Sequence, residues 1–187
     1  CHSDKDNAWA ARALERTYPE QKNARYRART RAVHHAMAGN DNAQELLAAL
    51  AQEEIPAWRA TLLGLLARME PTEQIRQAAR ADAKHENAMV RAAAARVLGE
   101  EATGLLQDRV KLVRNAAAWA LINRRINIPH TTPAMAEQEA IARHQADQPP
   151  GAMQLAILAE ARGDLSEAEK QYQRAISLDP ATPVPYM

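Results

Sequence analysis

The fold class is decided by two stretches of the sequence, VRAAAARVL at residues 90–98 and VRNAAAWAL at residues 113–121. A third stretch, WRATLLGLL at residues 58–66, aligns with them without a gap. Each copy begins with a bulky apolar residue followed by Arg, and has Leu eight positions after its first residue. The copies start 32 and 23 residues apart, so the chain carries an internal repeat.

The apolar positions of the copies have helical spacing. Val90, Ala93, Ala94, Val97 and Leu98 stand at i, i+3, i+4, i+7 and i+8, which forms one stripe along a helix. The copy that follows repeats this spacing. Alanine in the middle of the stripe lets a neighbouring helix approach closely, and one helix cannot cover its own stripe. We therefore predict an α-solenoid, in which stacked helices cover one another's stripes.

Residues that start and stop helices stand around the copies. Pro56 suits the first turn of a helix, Asn87 an N-cap and Gly99 a left-handed C-cap. We predict partner helices near residues 23–38, 41–51, 72–84, 100–107 and 134–145.

Composition favours an all-α fold and argues against several classes of function. The 187 residues are 47% apolar, with six Gly and no Phe, and strand-like alternation is hard to find. A formal net charge of +1 lacks the basic excess of a nucleic-acid-binding protein. No apolar run is long enough to span a membrane. There is no phosphate-binding loop and no recognisable nucleophile or metalloprotease motif, so we predict no enzyme activity.

The segment after residue 146 has a different pattern. Two helices are predicted on either side of Gly163-Asp164. Small residues at positions 156, 159, 168 and 175 stand where these helices would cross, and Tyr172 would fill the gap between them.

The three copies resemble HEAT-like repeats of the short type written VR-x-x-A-x-x-x-L. Val90-Arg91, Ala94 and Leu98 match that pattern, whereas the copy at 58–66 has Trp58 in place of Val and Leu62 in place of Ala. The resemblance implies a right-handed α-solenoid of HEAT-like helix pairs.

The last segment resembles one tetratricopeptide repeat over about residues 149–182. The matching positions are Leu155, Gly163, Ala168, Tyr172, Ala175 and Pro180. It departs from the family at Ala152, Ala156 and Ala159, where Trp, Gly and Tyr are usual. The resemblance implies a helical hairpin at the end of the solenoid.

The N-terminal residues resemble the end of a c-type haem motif, C-x-x-C-H. Cys1-His2 is followed by Ser3-Asp4-Lys5 and Trp9, a run typical of multihaem cytochromes that carry HEAT-like and tetratricopeptide repeats. The resemblance implies that, in a longer parent protein, Cys1 forms the second thioether bond to haem c and His2 binds the iron. Because the first cysteine and two spacer residues of the motif do not precede Cys1, we expect no cofactor in this chain itself.

The resemblance implies three parts: the end of a haem domain with a linker (1–22), HEAT-like repeats (23–146) and one tetratricopeptide repeat (147–187). Because one such repeat is not expected to be stable alone, it either continues past Met187 or packs on the HEAT-like part. It implies a non-enzymatic scaffold of a multihaem electron-transfer cytochrome, located in the periplasm or otherwise outside the cytoplasm. Its concave face would bind a protein partner. Two alternatives stay open. One is an adaptor unrelated to haem, either soluble or anchored by a lipid on Cys1. The other is an enzyme subunit of the HEAT-like bilin lyase kind.

Several polar groups have two interpretations. Arg59, Arg91 and Arg114 recur in register, either as a basic ladder for an anionic partner or as packing residues that bond a carbonyl or carboxylate. Adjacent side chains of a helix point about 100° apart, so His34-His35 are poorly placed to share one metal ion or haem iron. We favour one buried and one solvated histidine.

Two charged runs are predicted to face solvent. The basic run at residues 25–31 would lie on a solvated helix, with an acidic partner or haem propionates as the alternative. Glu53-Glu54 are adjacent and therefore splayed, and we predict that both are solvated.

Overall fold

A computed structural model describes residues 4–17, 20–40 and 42–180 of the chain. Over these residues it contains ten α-helices, one 3-10 helix and no β-strand, which confirms the all-α prediction. The α-helices α1 to α10 are Asn7–Thr17, Glu20–Met37, Ala43–Ala51, Pro56–Leu66, Glu73–Asp82, Ala88–Leu98, Lys111–Ile122, Pro133–His144, Pro149–Ala161 and Leu165–Leu178. The 3-10 helix is Gly99–Gln107 and lies between α6 and α7.

The predicted helix signals stand where the helices begin and end. Pro56 is the first residue of α4. Asn87 caps α6, its side chain accepting a hydrogen bond from the backbone N–H of Met89. Gly99 ends α6 with a φ of +58°, a conformation that side chains disfavour. Its missing Cβ also makes room for the guanidinium of Arg124.

The repeat copies form α4, α6 and α7, and these helices pack side by side. The apolar stripes of α6 and α7 are buried over their whole length, and Ala94 and Ala117 at their centres are completely covered. With α2 they form one row, while α3, α5, the 3-10 helix and α8 form a second row against it. One apolar core runs between the rows from Ala32 to Ala142 and also includes Leu158.

The final hairpin, α9 and α10, has the predicted seam. The alanines at positions 152, 156, 159, 168 and 175 are all buried. Asp164 caps α10 by accepting a hydrogen bond from Glu167 N–H, and the half-buried Tyr172 donates to Glu160. The hairpin also packs against α8, and Gly151 lets the start of α9 approach the backbone of Gln145 closely.

Three elements differ from the sequence prediction. The segment after α6, predicted as a short α-helix, is a 3-10 helix, since Gly104 and the β-branched Thr103 are poor α-helix formers. The second helix begins at Glu20, three residues before the predicted start. Asn7–Thr17 forms α1, which has no buried residue. None of the described helices is long and apolar enough to cross a bilayer.

Candidate functional site: the arginine ladder and the exposed apolar row

The repeat arginines join neighbouring helix pairs. Arg59 donates from Nε to the buried carboxylate of Asp82 at 2.7 Å, and from Nη1 to the carbonyl oxygens of Leu50 and Glu53. Arg91 donates to both carboxylate oxygens of Asp108 at 2.7 and 3.0 Å. Each guanidinium therefore spans from the loop before its own helix to a carboxylate farther along the chain.

The third copy continues the pattern. Arg114 donates to both carboxylate oxygens of Glu137 and, at 2.7 Å, to the carbonyl oxygen of Asp108. Of the two interpretations of the repeat arginines, the packing interpretation is confirmed, because the three guanidinium groups are occupied by groups of the protein itself. We use the term arginine ladder for Arg29, Arg59, Arg91 and Arg114 with their carboxylates Glu53, Asp82, Asp108 and Glu137.

Arg29 corrects the prediction that the whole basic run is solvated. Its side chain is buried, and its Nη1 donates to Glu53 at 3.0 Å. Its guanidinium carbon lies 4.1 Å from the ring centroid of Trp58 and 4.9 Å from that of Tyr26. Cation–π contact with two rings lets this charge lie in the junction between α2 and α4. The neighbouring Arg27 and Arg31 are exposed, as predicted.

Glu53 corrects a second prediction. Its carboxylate is fully buried and accepts from Arg29, whereas the adjacent Glu54 is exposed and pairs with Arg25. The repeated stripes therefore do not make the whole interior apolar, since the ladder adds buried charges. A sequence signal for Glu53 exists: it lies six residues before Arg59, and Asp108 lies six residues before Arg114.

The ladder shifts the ionisation of its acids. The hydrogen bonds from Arg91 lower the pKa of Asp108 below its ordinary value, and those from Arg114 do the same to the pKa of Glu137. Both acids are therefore charged at neutral pH, and each is bonded within the fold. Among the described residues the ladder acids form no open pair that could work as an acid and a base.

An exposed apolar row lies on the three repeat helices. Met89 and Leu112, each immediately before the Val of its copy, are both 46% exposed. Trp58, which takes the Val position in its own copy, is 39% exposed. We call these three residues the exposed apolar row. The three residues lie on helices that are consecutive neighbours, α4, α6 and α7.

A second open feature lies between α1 and α2. Leu14 and Glu15 on α1 face Arg27, Arg31 and His34 on α2 across a groove of about 690 Å³. Arg27 and Glu15 approach to 3.9 Å across it. The groove is therefore mixed in charge and partly apolar.

The predicted haem residues Cys1 and His2 lie outside the described residues. Of the adjacent histidines, His34 is exposed and His35 is half-buried, with Nδ1 2.8 Å from a carboxylate oxygen of Glu45. The prediction of one solvated histidine is confirmed at His34, whereas the predicted burial of the other is wrong, since His35 stays partly exposed beside the carboxylate of Glu45. No three His, Cys, Asp or Glu side chains gather into a metal site in the described part of the chain.

Comparison with known proteins gives no match: no protein family, curated protein or solved structure is similar to this chain.

Proposed function

We propose that this chain is a non-enzymatic interaction scaffold, a right-handed α-solenoid of HEAT-like pairs with a tetratricopeptide hairpin at its end. It binds a protein partner on its concave face. In its parent it is the C-terminal module of a multihaem electron-transfer cytochrome outside the cytoplasm, and it docks a redox partner or holds the haem domain.

The exposed apolar row is the observation that carries the proposal. Trp58, Met89 and Leu112 stand in or next to the same repeat position on neighbouring helices, and all three remain open. Aromatic side chains and methionine are enriched at the centres of protein interfaces. The ladder supports the proposal too, because helices held to one another by buried ion pairs present a surface that needs little rearrangement on binding.

The alanine stripes are the reason for placing the exposed apolar row on the concave face. The distance between packed helices depends on the side chains at their contact, and alanine allows the closest approach. If α4, α6 and α7 are spaced more closely than the helices packed against them, the stack curves toward the side on which α4, α6 and α7 lie. On this reasoning their outer surface, with Trp58, Met89 and Leu112, is the concave one.

The haem part of the proposal rests on Cys1-His2 and Trp9 and on the order of the repeats. In the parent, Cys1 supplies a thioether bond and His2 an iron ligand, and the haem supplies electron transfer. Within this chain we assign no step to the cofactor.

Binding of the scaffold to the purified haem-bearing part of the full-length protein tests the proposal. Isothermal titration calorimetry with the double variant M89E/L112E should show affinity lowered by about 100-fold, as expected for two hot-spot residues. The control is L165E, which changes an exposed apolar residue on α10, outside the row. Equal affinity of M89E/L112E and the unchanged chain would contradict the docking surface.

The residues encoded upstream of Cys1 distinguish a cytochrome parent from a lipid-anchored adaptor. Several C-x-x-C-H motifs, with haem absorption in the purified protein, support the cytochrome. A lipid-attachment sequence ending at Cys1 would contradict it in favour of the anchored adaptor.

A further inference from the structure

The three repeat helices carry positive charge only. α4, α6 and α7 contain no Asp or Glu, and their charged residues are Arg59, Arg91, Arg96, Lys111 and Arg114. The helices packed against them, which are α3, α5, the 3-10 helix and α8, contain seven acidic residues and three arginines. Charge is therefore segregated between the two rows of helices, and the cations lie on the helices that bear the exposed apolar row.

Two of these cations are not used by the arginine ladder. Arg96 and Lys111 are exposed, and neither forms an ion pair within the part of the chain that the structure describes. Lys111 acts electrostatically on Glu137, but both oxygens of that carboxylate already accept from Arg114. Arg96 and Lys111 therefore keep N–H donors for a partner.

The loops that lead into the repeat helices do not cancel this charge. Glu53, Glu54 and Asp108 are each bound by an arginine. The remaining acidic and basic residues of these loops are all exposed, and they are Lys84, Glu86 and Arg109. One carboxylate against two cations leaves this side of the face positive as well.

Cations stand on both sides of the exposed apolar row. Arg96 follows Met89 by seven residues, so it lies on the same face of α6, two turns or about 10 Å farther along the axis. Because helical side chains tilt toward the N-terminus, Arg96 extends back toward Met89. Lys111 is the first residue of α7, directly before Leu112, and by the same tilt it extends past the other side of the row.

We propose that this face binds an acidic amphipathic helix of a partner protein, an inference that rests on the proposed function. The partner's apolar stripe covers Trp58, Met89 and Leu112, and carboxylates along its edges accept from Arg96 and Lys111. Apolar surfaces with complementary charge at the rim are a general means of binding amphipathic helices. A protein fits better than a nucleic acid, because apolar side chains occupy the centre of the face and the cations are few.

Two synthetic helical peptides test the chemistry of the partner. The first has leucines at i, i+3, i+4 and i+7 and glutamates on both edges of that stripe, and the second has glutamine in place of every glutamate. In fluorescence anisotropy the acidic peptide should bind the unchanged chain about tenfold more tightly or better, as expected for added charged hydrogen bonds. Equal affinities for the two peptides, or tighter binding of a DNA duplex than of the acidic peptide, would overturn the proposal.

Ionic strength gives a second measurement on the same peptides. The Debye length falls from about 30 Å at 0.01 M to about 3 Å at 1 M ionic strength. The preference for the acidic peptide should therefore shrink over this range, while the glutamine peptide keeps its affinity. A preference that does not respond to salt would contradict recognition through the exposed cations.

Two matched double variants test the residues. R96E/K111E reverses the proposed cations, and R16E/R174E changes the net charge equally at exposed arginines on α1 and α10. R96E/K111E should lower the affinity for the acidic peptide by about tenfold or more, whereas R16E/R174E should stay within about twofold of the unchanged chain. R96Q/K111Q repeats the test without new negative charge should R96E/K111E fail to fold. Unchanged binding in a folded R96E/K111E or R96Q/K111Q would refute the assignment.

The same variants separate this inference from the proposed function. If binding to the haem-bearing part is lost in M89E/L112E but unchanged in R96E/K111E, the docking surface stands and the acidic chemistry of its partner is refuted. If the haem-bearing part does not bind the unchanged chain while the acidic peptide does, the proposed partner is wrong and the inference stands.

Discussion

Glu53 and Asp108 occupy the same structural position in two different repeats. Each carboxylate accepts a guanidinium from an earlier helix and the backbone N–H of the residue two positions ahead, and each carbonyl oxygen accepts the next arginine of the ladder. One acidic residue before a repeat helix thus links two successive arginines. The arginine recurs in each repeat because its bonds to these acidic residues attach one helix pair to the next.

The ladder should contribute far more to stability than a surface ion pair of equal geometry. Arg91 and Asp108 have side chains only 9% and 10% exposed, so R91M leaves a buried carboxylate without its charge partner. We expect the free energy of unfolding to fall by about 3 kcal/mol or more, measured by urea denaturation.

The control for R91M is R80M. Arg80 donates to both oxygens of Glu101 at 2.6 and 2.9 Å, but these side chains are 45% and 40% exposed. Water compensates for the loss of such a pair, so R80M should cost less than about 1 kcal/mol. Equal losses in R91M and R80M would mean that burial of the ladder is not what gives it strength.

The ladder also predicts acid sensitivity. Because Arg91 and Arg114 lower the folded-state pKa of Asp108 and Glu137, their stabilising contribution is complete above the ordinary carboxyl pKa of about 4. It is lost as the pH falls through the lower folded-state pKa values. Melting temperatures recorded from neutral pH downwards should therefore drop more steeply below about pH 4 in the unchanged chain than in D108N/E137Q.

In the comparison of acid sensitivity, D147N is the control, since Asp147 is exposed and outside the ladder. Its profile should follow that of the unchanged chain. Parallel profiles for all three proteins would show that the two ladder acids do not set the acid limit.

A charge in the helix seam should be severely destabilising. Ala94 and Ala117 are fully covered, so A94E forces a carboxylate between α6 and its neighbours and A117E does the same at α7. We expect a loss of more than about 3 kcal/mol in the free energy of unfolding. A136E introduces the same side chain on the exposed face of α8 and should stay within about 0.5 kcal/mol. A thermal melt that is unchanged in A94E and A117E would refute the packing of the stripes.

Replacing glycine by alanine should have opposite effects on stability at Gly151 and at Gly64. A Cβ on Gly151 would lie 2.0 Å from the carbonyl oxygen of Gln145, so G151A must push α9 away from the end of α8, at a cost of about 1–3 kcal/mol. A Cβ on Gly64, inside α4, meets no atom within 4 Å. G64A should therefore stabilise the chain by about 0.5–1 kcal/mol. Differential scanning calorimetry of the two variants gives the sign of each effect.

Tyr172 should ionise late. Burial of its ring, followed by its hydrogen bond to Glu160, raises its pKa to about 12. Since free tyrosine ionises near pH 10, the hydroxyl favours the folded state below that pH, and this contribution is lost as the pH rises toward 12. The difference in tyrosinate absorbance between the unchanged chain and Y172F should have its midpoint near 12. A midpoint near 10 would show that the hydroxyl is solvated.

The sequence predicts α2 to α10 and the seam between them, but it predicts neither α1 nor the 3-10 form of Gly99–Gln107. The helical spacing of apolar residues and the small size of alanine can both be read from a short stretch of sequence. Ala94 and Ala117 can therefore be assigned to a buried stripe without knowing which helices pack against them. The ends of helices are local as well. Asn87 caps α6 as predicted, and Gly99 ends α6 with a positive φ, although its ψ of −111° is not that of the predicted left-handed cap.

Glu53 and Glu54 show where local reasoning stops. The two residues are chemically identical and adjacent, yet one side chain is buried and the other exposed. What separates them is Arg29, 24 residues earlier, together with the ring of Trp58.

The ladder has a consequence for how quickly the chain can reach its native state. Its four ion pairs join residues 24, 23, 17 and 23 positions apart, so every pair closes a short loop of similar size. Short loops have a small closure entropy, and topologies dominated by near-neighbour contacts fold in microseconds to milliseconds. Over residues 29–137, successive segments can therefore form their native contacts one after another.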